Sequence, residues 1–154
     1  LASIRPFLVY DRIACLAIFD SNAPDFIDPA DRSDFTEFLS EPGQYVVAES
    51  EGTVVGCGGY YSRNSAARLT WGMVHRSHHR RGLGILLLRW RLQRIMAEPG
   101  VTTIECSTSQ MTEGFYARCG FVTEDRLPEG YGPGLERVEM RMSVERAGEW
   151  AGLA

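Results

Sequence analysis

The sequence predicts an α/β (α+β) fold with a mixed, mostly antiparallel central sheet of about seven strands and helices on both faces. Three observations carry this. Residues 44–74 hold three alternating apolar runs with short turns between them, the pattern of an antiparallel meander. A loop and a long amphipathic stretch then separate "ARLTWGMV" from "VTTIECS", which is the layout of a parallel crossover, right-handed by the general rule. Two further β-like runs, "FVTEDRL" and "RVEMRMSV", follow around a Gly/Pro-rich link. The predicted order is β-α-α-β-β-β-α-β-α-β-β.

Each element has a local reason. "IRPFLVY" reads as the first strand. Asp11 then stands where a helix N-cap belongs, with Ile13, Leu16 and Ala17 spaced for one apolar face. Asp28 followed by Pro29 is an N-cap and first-turn pair, so a second helix is predicted from about Pro29 to Leu39, with Phe35, Phe38 and Leu39 inward. "QYVVAES" and "EGTVVGCGGYYS" form a hairpin around Glu51-Gly52. "ILLLRWRLQRIMAE" places Ile85, Leu88, Leu92 and Ile95 on one stripe, with Arg89, Arg91 and Arg94 towards its margins. "MTEGFYARCG" is a short helix that Gly120 is placed to terminate. The domain is predicted to span residues 1–144, and residues 145–154 form a tail with no clear assignment.

Composition narrows the class of protein. A chain of 154 residues has room for a real core. The net charge of -4 disfavours bulk attraction to nucleic acid. No apolar run approaches the roughly 20 residues of a membrane span. "LASIRPFLVY" has an early charge and no small-residue cleavage pattern, so a signal peptide is not expected. The 16 basic residues are all Arg, which suits phosphate and leaves no lysine for Schiff-base chemistry. Cys15, Cys57, Cys106 and Cys119 show no CxxC, and buried free thiols in a reducing cytoplasm are expected.

The densest local signal is "VHRSHHRRGLG", residues 74–84. A metal reading finds His75, His78 and His79 but no Cys and no placed carboxylate to complete a tetrahedral set. A nucleic-acid reading lacks interleaved aromatics. The third reading is an anion site. A strand ends at Val74, a helix begins near Leu83, and Gly82 and Gly84 let a ligand approach the backbone. First-turn N–H groups have no intrahelical acceptor, and the helix dipole favours negative charge there. Arg80 and Arg81 add fork-shaped donors for phosphate oxygens. A plain strand-to-helix turn with a solvated basic edge remains the competing reading. Two other glycine motifs fail, because the P-loop needs a lysine and the dinucleotide fingerprint needs a third glycine where Leu87 stands.

In context these residues resemble the GCN5-related N-acetyltransferases (GNAT). The family pattern [QR]-x-x-G-x-[GA] is matched by His79-Arg-Arg-Gly82-Leu-Gly84, and its Tyr helix and Gly-Phe pair by "FYARCGF", Phe115 to Phe121. The element order agrees up to about Val144. "DSNAP", "LTWGMVH", "STSQ" and "GYGPGLERVEM" look like a bacterial subgroup whose acceptor is unassigned. The resemblance implies acetyl-CoA as donor and no metal. Its pyrophosphate would lie on the amides of His79, Arg80, Arg81, Gly82, Leu83, Gly84 and Ile85. Met73 and Val74, at a splayed strand end, would pair with the pantetheine amides and hold the acetyl carbonyl, polarised by a backbone N–H. Two positions depart from the family: His79 replaces Gln or Arg, and Ser109 stands where many members carry an Asn that contacts the pantetheine arm.

By the same resemblance Tyr116 is the general acid that protonates the departing thiolate. The acceptor is a primary amine of a small molecule or peptide, attacking directly within a ternary complex. Neither nucleic acid nor membrane is implied as a partner, and a homodimer is compatible with the pattern. The amine must lose a proton. Glu136 is the first choice as base or acceptor contact, ahead of Glu105 and Glu139. A covalent route through Cys106 or Cys119 lacks an activating partner. A non-catalytic acyl-CoA-binding module and an O-acetyl or longer-acyl transferase are the alternatives.

Overall fold

The computed structural model describes residues 2–152. Its strands are β1 (Ala2–Pro6), β2 (Gln44–Ser50), β3 (Thr53–Arg63), β4 (Ala66–Val74), β5 (Thr103–Thr108), β6 (Val122–Gly132) and β7 (Leu135–Ser143). Its helices are α1 (Arg12–Asn22), α2 (Arg32–Phe38), α3 (Leu83–Met96), α4 (Glu113–Arg118) and α5 (Val144–Ala151). The strands form a seven-stranded sheet in the order β1-β2-β3-β4-β5-β7-β6, and β4 pairs with β5 in parallel. The predicted succession of elements is found, with α5 added at its end. Residue contacts divide the chain into two compact units. The first runs to Tyr60 and includes Thr70–Leu88; the second holds Tyr61–Leu69 and the chain from Arg89.

In the first unit, β2 pairs antiparallel with β1 and with β3, and Ser50 faces Thr53 across Glu51-Gly52. Both turn residues have positive φ, 52° and 78°, as a two-residue hairpin whose twist matches its strands requires. The core gathers Cys15, Ile18, Phe19, Phe35, Leu39, Tyr45, Val47, Cys57 and Met73. Phe19 and Phe35 are fully buried and stacked at 5.8 Å, and each burial contributes about 2–3 kcal/mol. Two predictions are corrected here. The first strand stops at Pro6, and the chain turns through a 3-10 turn at Val9–Asp11 that leaves Val9 and Tyr10 exposed. The inward face of α1 is Cys15, Ile18, Phe19 and Asn22, while Ile13 is 81% exposed. Both stripes have helical spacing, and contact with Phe35 and the strands selects the one that carries Phe19. The predicted second helix is found in two parts: Asp28 accepts from Ala30 N at 2.9 Å at the head of a 3-10 turn (Pro29–Asp31), and α2 follows, with Phe35 and Leu39 buried and Phe38 partly buried against the core.

Asp11 is 3% exposed and does not cap α1 through its side chain. It accepts two hydrogen bonds from the Arg5 guanidinium, at 2.7 and 2.8 Å, and one from Leu8 N at 2.8 Å. The Arg5 bonds outweigh burial and hold its carboxyl below the ordinary carboxylate value. A depressed folded pKa means the stabilisation is in place above the unfolded value and is lost as pH falls through the folded one. Asp11→Ala is expected to lower stability at pH 7 by about 2–3 kcal/mol. The deficit should shrink below about pH 4, where the unfolded carboxyl protonates. Urea titrations at both pH values check this.

In the second unit, Ala66, Ala67 and Arg68 of β4 pair with Thr103, Ile104 and Glu105 of β5, and β4 runs on to Val74. β5 pairs antiparallel with β7, which pairs with β6. The Gly/Pro-rich link is drawn into the β6–β7 hairpin, with a register shift between Leu127 and Gly132 and a positive φ at Glu129. The tail is helical over Val144–Ala151: Ser143 accepts from Arg146 N at 3.1 Å, and Gly152 closes the helix in the left-handed region. Residues 153 and 154 of that tail lie outside the described residues. Two corrections concern α3, whose buried side chains are Leu83, Leu87, Leu88, Arg91, Leu92 and Ile95. Ile85 is exposed, and Arg91 is not marginal but buried.

Candidate active site

The end of β4 is irregular before the loop begins. Trp71 has φ 37° inside the strand, a conformation that a bulky residue adopts only when its surroundings impose it. The surroundings are visible: its ring packs on Phe35 at 4.9 Å, and its carbonyl accepts from Tyr45 Oη at 2.7 Å. Met73 turns its side chain into the core, so only its backbone is offered to a ligand. His75 N donates to Val55 O at 2.8 Å and anchors the loop's first residue. A 3-10 turn follows at Arg76–His78.

His75 and His78 share the Ser77 hydroxyl, each with Nδ1 2.9 Å from it, while His79 is engaged elsewhere. His75 Nδ1 also accepts from Ser77 N at 3.2 Å. His79 turns back, with Nε2 2.9 Å from Val74 O, and its ring meets Phe26 edge-on at 5.2 Å. A carbonyl only accepts, so His79 carries its proton on Nε2. Beyond it Arg80 and Gly82 both have positive φ, 64° and 81°. No atom lies within 4 Å of the position a Gly82 Cβ would take. α3 then starts at Leu83, and Leu86 N makes an early helical bond, 3.0 Å to Gly82 O. That leaves the N–H groups of Leu83, Gly84 and Ile85 in the first turn of a 14-residue helix. Arg80 and Arg81 are exposed, and among the described residues no acidic side chain pairs with either. Backbone donors, an open approach and two available guanidinium groups fit a pyrophosphate.

Tyr116, Ser109 and Glu136 belong to the second unit. Tyr116 is fixed by edge contacts to Phe115 at 5.1 Å and Phe121 at 5.5 Å. Its ring is partly covered, yet burial around its hydroxyl pushes the phenol up to about 12, opposed by the charge of Arg91, which also hydrogen-bonds it. Arg91 was missed from sequence because α3 positions it where a marginal side chain was expected. Burial pushes Cys106 up to about 12 and also raises Cys119, which argues against a thiolate nucleophile. All four cysteines are free and buried, as expected.

Ser109 is buried, and its Oγ accepts from Met111 N at 3.2 Å, so one lone pair is used locally. Glu136 is bound by Arg126 at 2.8 Å, and the same arginine holds Glu113 of α4 at 2.7 Å. Gln110 ties this hairpin back by donating to Gly134 O at 2.7 Å and accepting from Glu136 N at 2.8 Å. Glu139 is surrounded by donors: Ser107 at 2.8 Å, Arg68 at 3.1 Å and Arg137 at 2.6 Å. Burial raises its pKa, but those bonds outweigh it and hold the carboxyl below its ordinary value. A saturated carboxylate of that kind is a poor base.

Comparison with known proteins addresses the family and the fold. Residues 41–123 match the family model described as Acetyltransferase (GNAT) domain. No curated protein sequence matches the chain at a significant level. Among solved structures, a GNAT-family protein from Desulfovibrio desulfuricans superimposes with TM-score 0.78 and 23% identity, covering 94% of this chain and 99% of that one. The ribosomal-protein-S18-alanine N-acetyltransferase from Escherichia coli gives 0.77 at 17% identity, covering 94% of each chain. N-acetylglutamate synthase from Neisseria gonorrhoeae, complexed with coenzyme A and N-acetyl-glutamate, gives 0.72 at 17% identity over 94% of this chain and 35% of that one. At these identities the structures establish the fold, while the family model spans more than half of the chain, which therefore belongs to the GNAT acetyltransferase family.

Proposed function

We propose that this protein is an N-acetyltransferase that moves the acetyl group of acetyl-CoA to a primary amine of a small molecule or peptide, with both substrates bound together. The observation that carries the reading is the start of α3: the first-turn amides of a 14-residue helix, positive φ at Arg80 and Gly82, and two exposed guanidinium groups with which no acidic side chain pairs among the described residues. Acetyl-CoA supplies an activated thioester when bound. The amides from His79 to Ile85 hold its pyrophosphate, with Arg80 and Arg81 in support. The Met73 backbone and the Val74 N–H receive the pantetheine arm, and Ser109 contributes a hydroxyl to it.

Tyr116 is assigned as the acid. A phenol pushed up to about 12 keeps its proton throughout the neutral range and can pass it to the departing thiolate. As that proton leaves, Arg91 faces the developing negative charge on the oxygen. Glu136 is proposed to meet the acceptor's amine, as its base or as its contact. Free buried thiols suit a reducing cytoplasm.

One observation favours a second reading. Glu136 is already engaged by Arg126 and Glu139 is saturated, as a binding module without turnover would allow. An amine panel with acetyl-CoA, followed by free-thiol release, separates the two. Amine-dependent release above the rate of hydrolysis is expected for at least one acceptor. Micromolar cofactor binding with no amine-dependent release across the panel would favour the module.

A further inference from the structure

Two side chains donate to one backbone oxygen at the end of β4. Asn22 Nδ2 reaches Val74 O at 3.0 Å, and His79 Nε2 reaches the same atom at 2.9 Å. A carbonyl oxygen has two lone pairs, so its accepting capacity is filled. Asn22 is 3% exposed and closes the inward stripe of α1. Its amide nitrogen also donates to Ile18 O at 2.9 Å. A buried amide costs free energy unless its hydrogens find partners, and here both do. The same stretch is braced next door: Arg76 N donates to Ser21 Oγ at 3.0 Å, and the Arg76 guanidinium reaches Asp25 at 2.7 Å and lies over the Phe26 ring at 5.2 Å.

We propose that Asn22 and His79 are positioning residues for acetyl-CoA: together they clamp the Val74 carbonyl, withholding it from the cofactor and fixing the peptide from which the cofactor loop departs. The inference rests on reading that loop as the acetyl-CoA cradle. It gives the His79 departure from the family fingerprint a physical role, since the ring serves the strand and not the ligand. A loop whose first peptide is held from two sides is organised before the ligand arrives, so less of the binding energy is lost to ordering. Either donor alone still holds the oxygen, and removal of both frees the peptide to rotate.

Backbone-assigned carbonyl NMR of the cofactor-free protein and calorimetry with acetyl-CoA test this on the full chain. Asn22→Leu and His79→Ala should each move the Val74 carbonyl resonance upfield and weaken acetyl-CoA binding by about fivefold, as loss of one modest hydrogen bond does. The double variant should weaken binding by more than the product of the singles, because the two donors back each other up. His79→Gln, which keeps a side-chain N–H, should retain more affinity than His79→Ala. A Val74 resonance unmoved in both single variants overturns the clamp. A moved resonance with unaltered affinity in the double variant overturns the positioning role. No acetyl-CoA binding by the wild-type protein would overturn the cofactor reading and that role with it, while the resonance would still report the clamp itself.

Discussion

Gly82→Asp should raise the dissociation constant for acetyl-CoA by about two orders of magnitude, or about 2.7 kcal/mol. Two effects add. At φ 81° a side chain is strained by the backbone conformation itself, even though the space around it is open. An aspartate there also sets a negative charge beside the first-turn amides of α3, where the helix dipole and Arg80 and Arg81 favour an anion. Gly82→Ala separates the two, because it brings the strain without the charge, and a loss of about fivefold is expected for it. Calorimetry on both variants reads the difference. Unchanged affinity in Gly82→Asp would remove the pyrophosphate from this loop.

Tyr116→Phe should lower the rate of amine-dependent thiol release by about a hundredfold, the low end for loss of a general acid, with acetyl-CoA affinity kept. The ring is held by Phe115 and Phe121, and phenylalanine preserves both contacts. Removing the hydroxyl also leaves the buried Arg91 guanidinium without that partner, so some loss of thermal stability should accompany the kinetic effect. The kinetic and stability effects separate in a second variant. Arg91→Leu should slow turnover in the wild-type background and add little on top of Tyr116→Phe, because it acts through the same oxygen. Equal turnover in Tyr116→Phe and wild type at saturating substrate would end the acid assignment.

Local signals were readable in the sequence wherever one pattern dominated. The β2–β3 hairpin follows from alternation around Glu51-Gly52, and α2 from Asp28 and Pro29 ahead of Phe35 and Leu39. The strand end at Val74 and the helix start at Leu83 follow from the break in pattern between them. In α1 the sequence "RIACLAIF" is apolar on nearly every side, so periodicity has two solutions and cannot choose between Ile13 and Phe19. α5 carries a capping serine at Ser143 and a terminating Gly152, but its few apolar residues hid the helix. The clamp on Val74 joins residues 52 apart in the chain, and its acceptor is a backbone atom, so no side-chain motif reports it. Arg91 was misplaced for a related reason: a charged side chain on an amphipathic helix is ordinarily at the margin, and only tertiary packing buries it.

On the proposed reading, the amides opening α3 hold the cofactor's pyrophosphate. Backbone amide NMR of the 15N-labelled protein, titrated with acetyl-CoA, tests it most directly. Leu83, Gly84 and Ile85 should show the largest shifts, with Gly82 close behind, and these shifts should persist with a coenzyme analogue lacking the ribose phosphate. Saturable binding that leaves those amides unmoved would contradict it.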